Sequence, residues 1–98
     1  MSKLRNSARG QPCHIRLDGI CNGNRETTVL CHLPDGTGTG KMGGKSHDIH
    51  GVFGCSACHD VLDNRANHNK HRQWVLLRAY EGQQRTLRYW MENGFVTV

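Results

Sequence analysis

Two cysteine pairs, Cys13 with Cys21 and Cys55 with Cys58, constrain this chain more than any other feature. The second pair has the Cys-x2-Cys spacing of a metal knuckle, while the first, with seven residues between its members, is wider than a usual zinc ribbon. Thirty-three residues separate the pairs, and each sits on a turn able to present both sulfurs inward. The constraint matters because the apolar complement is thin. Leu, Ile, Val and Phe make only 19 of 98 residues, near the level at which apolar burial alone struggles to offset conformational entropy. Four thiolates around one zinc ion, at about 2.3 Å each, would join the N-terminal loop to the middle of the chain. Such a site supplies folding free energy on the order of 10 kcal/mol. The alternatives are disulfides or five free, buried thiols, and Cys31 is left over as either an inert strand residue or a ligand elsewhere.

The first residues, Met1 to Ser7, are polar and carry no apolar run ahead of a small-residue cleavage site, so an intracellular, cytoplasmic location is expected. Reduced thiols in that compartment favour thiolate–metal bonds over disulfides. No stretch has the length or apolarity of a membrane span. Thirteen Lys and Arg against eight Asp and Glu give a net charge of +5. A four-thiolate zinc site carries −2, which would leave +5 − 2 = +3. A balance of that sign suits a polyanion but does not by itself identify one.

With no internal repeat or low-complexity tract, residues 1–98 read as one domain. Residues 1–12 look like a flexible basic arm, 13–68 like a zinc-stapled core and 70–94 like a C-terminal helix. Within the core, residues 26–32 are β-prone, and Pro34-Asp35-Gly36 closes a strand ending at His32. Residues 35–46 hold five glycines, two lysines and Met42 as the one large apolar side chain, which reads as a surface loop. A second strand fits Ile49 to Gly54. After Cys58, Ala57, Val61 and Leu62 share one helical face, predicting a helix through about Asn67. From His71 to Asn93, Trp74, Leu77, Tyr80, Gln84, Leu87 and Met91 recur at helical spacing, predicting one long helix that buries this stripe. Gly82 would weaken it and Gly94 sits where a C-cap belongs. The fold class expected is α+β.

Several motifs fail on inspection. Gly44-Lys45-Ser46 resembles the end of a phosphate-binding loop, but Thr39 stands where that pattern needs glycine. The zinc deaminase signature is absent. Cys55-x-x-Cys58-His59 also spells a c-type haem attachment, yet haem would leave Cys13 and Cys21 without a role. What remains is an ordered set: His32 at a strand end, Asp48 or His50 ahead of the second strand, and His59 with Asp63 at i and i+4 on one helical face. An imidazole and a carboxylate so placed can hold a divalent cation, and a strand-end histidine facing them can take a proton from water.

In Val29-Leu30-Cys31-His32-Leu33, in the Gly/Lys loop ending at Asp48 and in Cys55-Ser-Ala-Cys58-His59-Asp60, the sequence resembles the HNH, or His-Me finger, nucleases. Within them it is similar to the small YbcO-type nucleases of lambdoid prophages. The resemblance implies a bacterial or phage-encoded ββα-metal finger closed by a structural Zn2+ on Cys13, Cys21, Cys55 and Cys58, with an additional C-terminal helix. It implies His32 as the base, Asp48 as the middle residue with His50 as the alternative, and His59 with Asp63 as ligands of a second cation, Mg2+, Mn2+ or Zn2+. Many members carry Asp or His just before the base; Cys31 stands there, and a thiolate ligand would favour zinc. The partner implied is nucleic acid, with DNA the expected kind, gripped along its backbone by Arg16, Arg25, Lys41 and Lys45 with little sequence specificity. The competing expectation is a non-catalytic zinc-finger module that binds DNA or a protein with the same cysteines and charge.

Overall fold

The computed structural model describes residues 3–33, 47–66 and 68–97. The chain is a small compact α+β fold. Strand β1 (Val29–His32) pairs antiparallel with β2 (Gly51–Gly54), with Leu30 opposite Phe53, Cys31 opposite Val52 and His32 opposite Gly51. Helix α1 (Lys3–Asn6) precedes the sheet, α2 (Ser56–Leu62) follows it, and α3 (Arg72–Glu92) packs against β2.

Both faces of this two-stranded sheet are covered, because residues opposite one another point the same way. Cys31 and Val52 face one buried cluster with Ile15, Leu17, Leu33, Val61, Leu62, Val75 and Ala79. Leu30 and Phe53 face a second with Ala8 and Trp90. Helix α3 is long enough to serve both, the first through Val75 and Ala79 and the second through Trp90. Glycine makes the double covering possible. A Cβ at Gly54 would lie 2.6 Å from Ile15 Cδ1, and one at Gly51 would lie 2.5 Å from Leu30 Cδ1.

The strands are shorter than their β propensity suggests, since side-chain caps compete with the ladder. Asn24 accepts from the Glu26 amide and folds Arg25–Thr27 into a 3-10 turn. His47 Nδ1 does the same for the Ile49 amide and the turn Asp48–His50. Helix α2 also stops early. Asn64 takes a left-handed φ of 58°, and the Arg65 amide bonds back to the Asp60 carbonyl, so residues beyond Leu62 do not continue the helix expected through about Asn67. Residue 67 itself, like the glycine loop of residues 35–46, lies outside the described residues.

Two further expectations are corrected. Residues 3–10 are not a free arm: Ala8 is buried, and the Trp90 indole N–H donates to Ser7 Oγ at 2.8 Å. Helix α3 is continuous through Gly82 but buries a different face. Its buried residues are Val75, Ala79, Gly82, Thr86 and Trp90, whereas Leu77, Tyr80 and Met91 of the expected stripe are exposed. The physical reason is close approach. A Cβ at Gly82 would meet the His14 carbonyl oxygen at 2.5 Å, so the contact face is made of small residues that an apolar pattern does not single out. Beside Gly82, Thr86 Oγ1 accepts from the Phe53 amide at 3.0 Å and meets His14 Nδ1 at 2.8 Å. Burial, with Arg16 and Arg85 nearby, pushes the His14 imidazole down to about 4, so the ring that meets Thr86 is neutral. At its end α3 closes as the sequence implies, with Gly94 at φ 78° and the Phe95 amide on the Trp90 carbonyl.

Candidate metal centre and active site

The four paired cysteines converge. Their sulfurs all lie within 4.8 Å of one another, and Cys21 Sγ stands 3.8 Å from Cys55 Sγ. A tetrahedron of sulfurs about 2.3 Å from a central zinc ion has edges of about 3.8 Å. Cys13, Cys55 and Cys58 are buried, Cys21 is half-buried, and none is in a disulfide. Backbone amides point at the sulfurs: Arg16 N–H at Cys13, Cys58 N–H at Cys55, and the amides of Gly23 and Leu17 at Cys21 and Cys58. Arg16 takes a left-handed φ of 56° to deliver its amide, which closes a tight loop around Cys13. Amide donors favour thiolate over thiol. Cys13 is held at about 4 chiefly by the hydrogen bond from Cys58, which keeps its own proton in consequence. This donor set fits a dication that takes over the role of those protons, and the cluster could hold a metal such as zinc.

Cys31 is no part of it. The strand alternation turns its side chain into the core, fully buried and touching the space that a Gly54 Cβ would fill, and burial drives its thiol far above the ordinary range. Its neighbour His32 therefore faces the other way and is partly exposed. His32 Nε2 lies 2.7 Å from Asp48 Oδ1, across the junction of the 3-10 turn and the sheet. Asp48 Oδ1 also receives Arg5 of α1 at 3.4 Å, a participant that nothing in the sequence spacing points to, since the two stand 43 positions apart. His50, the alternative middle residue, contributes its backbone carbonyl to the Leu33 amide.

Across the last turn of α2, His59 Nε2 and Oδ2 of the capping residue Asp63 are 3.0 Å apart, as their i, i+4 spacing allows. Burial lowers the His59 pKa, with Arg65, itself 3.4 Å from Asp63, adding to the shift and Asp63 and Asp60 opposing it. Among the described residues no third metal-binding side chain joins this pair, and the four cysteines are the one cluster of three or more such ligands. Arg16 and Arg25 are exposed, their Nε atoms donating to the carbonyls of Cys13 and Gly10. Lys41 and Lys45 lie outside the described residues.

A family model described as "Putative nuclease YbcO" matches residues 2–95, a span that takes in the cysteine cluster, His32 and α3. The chain belongs to the YbcO family. It is similar to "Putative nuclease YbcO" of Escherichia coli (strain K12), at 41% identity over 96 residues covering 98% of each chain. The same values hold for "Putative nuclease ybcO" of Enterobacteria phage 82. Among solved structures it resembles one described as "Structure of a putative bacteriophage protein from Escherichia coli str. K-12 substr. MG1655". That likeness has a TM-score of 0.78 and 36% identity, and covers 94% of this chain and all of the other. The YbcO match runs over nearly the whole sequence, so α1 and α3 belong to the family unit together with the cysteine cluster. No helix among the described residues is long and apolar enough to cross a membrane.

Proposed function

We propose that this protein is a metal-dependent endonuclease of the HNH type, hydrolysing phosphodiester bonds of nucleic acid, most readily DNA, with little sequence specificity. The observation that carries the reading is the His32–Asp48 hydrogen bond at a strand end, with the His59–Asp63 pair at the end of α2 as the second element of the reading. The family's description as a nuclease supports the same class.

A carboxylate only accepts hydrogen bonds, so Asp48 takes the Nε2 proton of His32 and leaves the lone pair on Nδ1. That tautomer is the one able to take a proton from an attacking water. Asp48 then stabilises the imidazolium that forms, the part a buried carboxylate plays beside a catalytic histidine elsewhere. Arg5 on the same carboxylate oxygen holds Asp48 in place and adds positive charge at the rim. His59 and Asp63 offer two donors to a second cation. Catalytic zinc draws three protein ligands, whereas magnesium completes its shell from water and phosphate, and with Cys31 turned into the core the thiolate argument for zinc falls away. Such a cation, when bound, supplies charge neutralisation at the scissile phosphate and the leaving oxygen. Arg16 and Arg25, with Lys41 and Lys45, serve the phosphate backbone and read no bases.

The test is supercoiled plasmid with the zinc-loaded protein and a series of divalent cations. His32→Ala is expected to lose about a hundred- to ten-thousand-fold in rate while keeping its zinc and its melting temperature. Cleavage by His32→Ala at the wild-type rate overturns the mechanism and leaves a zinc-stapled binding module.

A further inference from the structure

Helix α3 buries one face and presents another that is not a solvated surface in composition. Its outermost row is Gln73, Leu77, Tyr80, Gln84, Arg88 and Met91, all exposed. Leu77 is 52% exposed, Tyr80 40% and Met91 46%, three of the five exposed large hydrophobic residues among those described. A fourth, Phe95, follows directly on the helix. Single exposed apolar residues are ordinary; a row of them along one helix marks an interaction surface.

The row is symmetric about Gln84. Leu77 and Met91 stand seven residues to either side of it, and Tyr80 and Arg88 stand four. We propose that this face pairs with a second copy of the chain, the two α3 helices antiparallel about a two-fold axis through Gln84. In that arrangement Leu77 meets Met91 of the second copy, and the Tyr80 ring meets its Arg88 guanidinium, an aromatic–cation contact. The two Gln84 amides meet each other, and an amide, being donor and acceptor at once, is its own complement. A self-complementary polar residue at the centre of the seam also fixes register. Within each helix Glu81 pairs with Arg78 at 3.2 Å and Arg88 with Glu92 at 3.4 Å; the antiparallel direction brings Glu81 of each copy beside Arg88 of the other and joins these pairs into one network, whereas a parallel pair would set Arg88 against Arg88. Each contact off the axis occurs twice, as an isologous interface requires.

Leu77 to Met91 spans about 21 Å of helix at 1.5 Å per residue, and one helix pair of that length lies at the low end of specific interfaces. The dimer is therefore weak and concentration-dependent. Sedimentation equilibrium of the zinc-loaded full chain, from about 10 μM to about 1 mM, is expected to show the mass rising from 11.0 kDa toward twice that value. Leu77→Glu and Gln84→Lys, both at exposed positions, should each raise the dissociation constant about ten-fold or more, with unchanged circular dichroism and zinc content. Glu81→Arg and Arg88→Glu should each weaken association and the double exchange should restore it. A monomer at every concentration, association of Leu77→Glu and Gln84→Lys at the wild-type level, or a double exchange no better than either single change would overturn the pairing. The readout is mass, so it stands or falls separately from nuclease activity.

Discussion

Gly82 shows how one residue can be misjudged by local rules. In a helix interior glycine costs about 1 kcal/mol relative to alanine, so Gly82→Ala would stabilise α3 if propensity decided the matter. Packing opposes it. The new Cβ would stand 2.5 Å from the His14 carbonyl oxygen and 2.8 Å from its carbon, both backbone atoms of the loop that carries Cys13. The same helix clamps that loop through Arg85, which donates to the same carbonyl at 2.7 Å, so helix and loop cannot part cheaply. Overpacking of this kind costs about 1–3 kcal/mol and should exceed the propensity gain. Gly82→Ala is accordingly expected to lower the denaturant midpoint, and a midpoint above wild type would show that the helix and loop can part.

At the scale of the element, the N-terminal segment behaves as part of the fold. Ala8 and Leu4 pack beside Trp90, Ser7 accepts the indole proton, and Arg5 reaches Asp48. Trp90 is fully buried, so its N–H has no ready alternative partner. Ser7→Ala should cost on the order of 1 kcal/mol for the unpaired donor, a fall in Tm of about 4–8 °C for a chain of this size. Differential scanning calorimetry reads this directly; an unchanged Tm would mean the indole finds water. The same logic of competition sets the other element ends. Asn24 and His47 cap 3-10 turns where β propensity alone would extend the strands, and Asn64 ends α2 a turn early.

For the whole molecule the decisive balance is between a small apolar core and the thiolate cluster. Net stabilities of domains run to about 5–15 kcal/mol, while a structural zinc site contributes on the order of 10 kcal/mol. The cluster ties the loop around Cys13 and Cys21 to the start of α2 at Cys55 and Cys58, and thereby holds β2 and α2 beside β1. Elemental analysis should return about one zinc per chain, and a strong chelator should abolish the cooperative thermal transition. A transition that survives full removal of zinc would show that the two apolar clusters suffice. Since His32 lies on β1 and His59 on α2, the chelated protein should also lose any cleavage activity.

What the sequence determined by itself was whatever is written in spacing and local chemistry. The cysteine pairs, the strand ending at His32, the His59–Asp63 face and the Gly94 stop are each a matter of a few neighbouring residues, and each is found where the spacing puts it. The choice of Asp48 over His50 as the residue whose side chain bonds His32, the contribution of Arg5, the inward turn of Cys31 and the buried face of α3 were decided only in the tertiary structure. The reason is the same in all four. Each depends on how closely two distant segments approach, and close approach is set by backbone geometry and small residues such as Gly54 and Gly82, which hydrophobic pattern does not register.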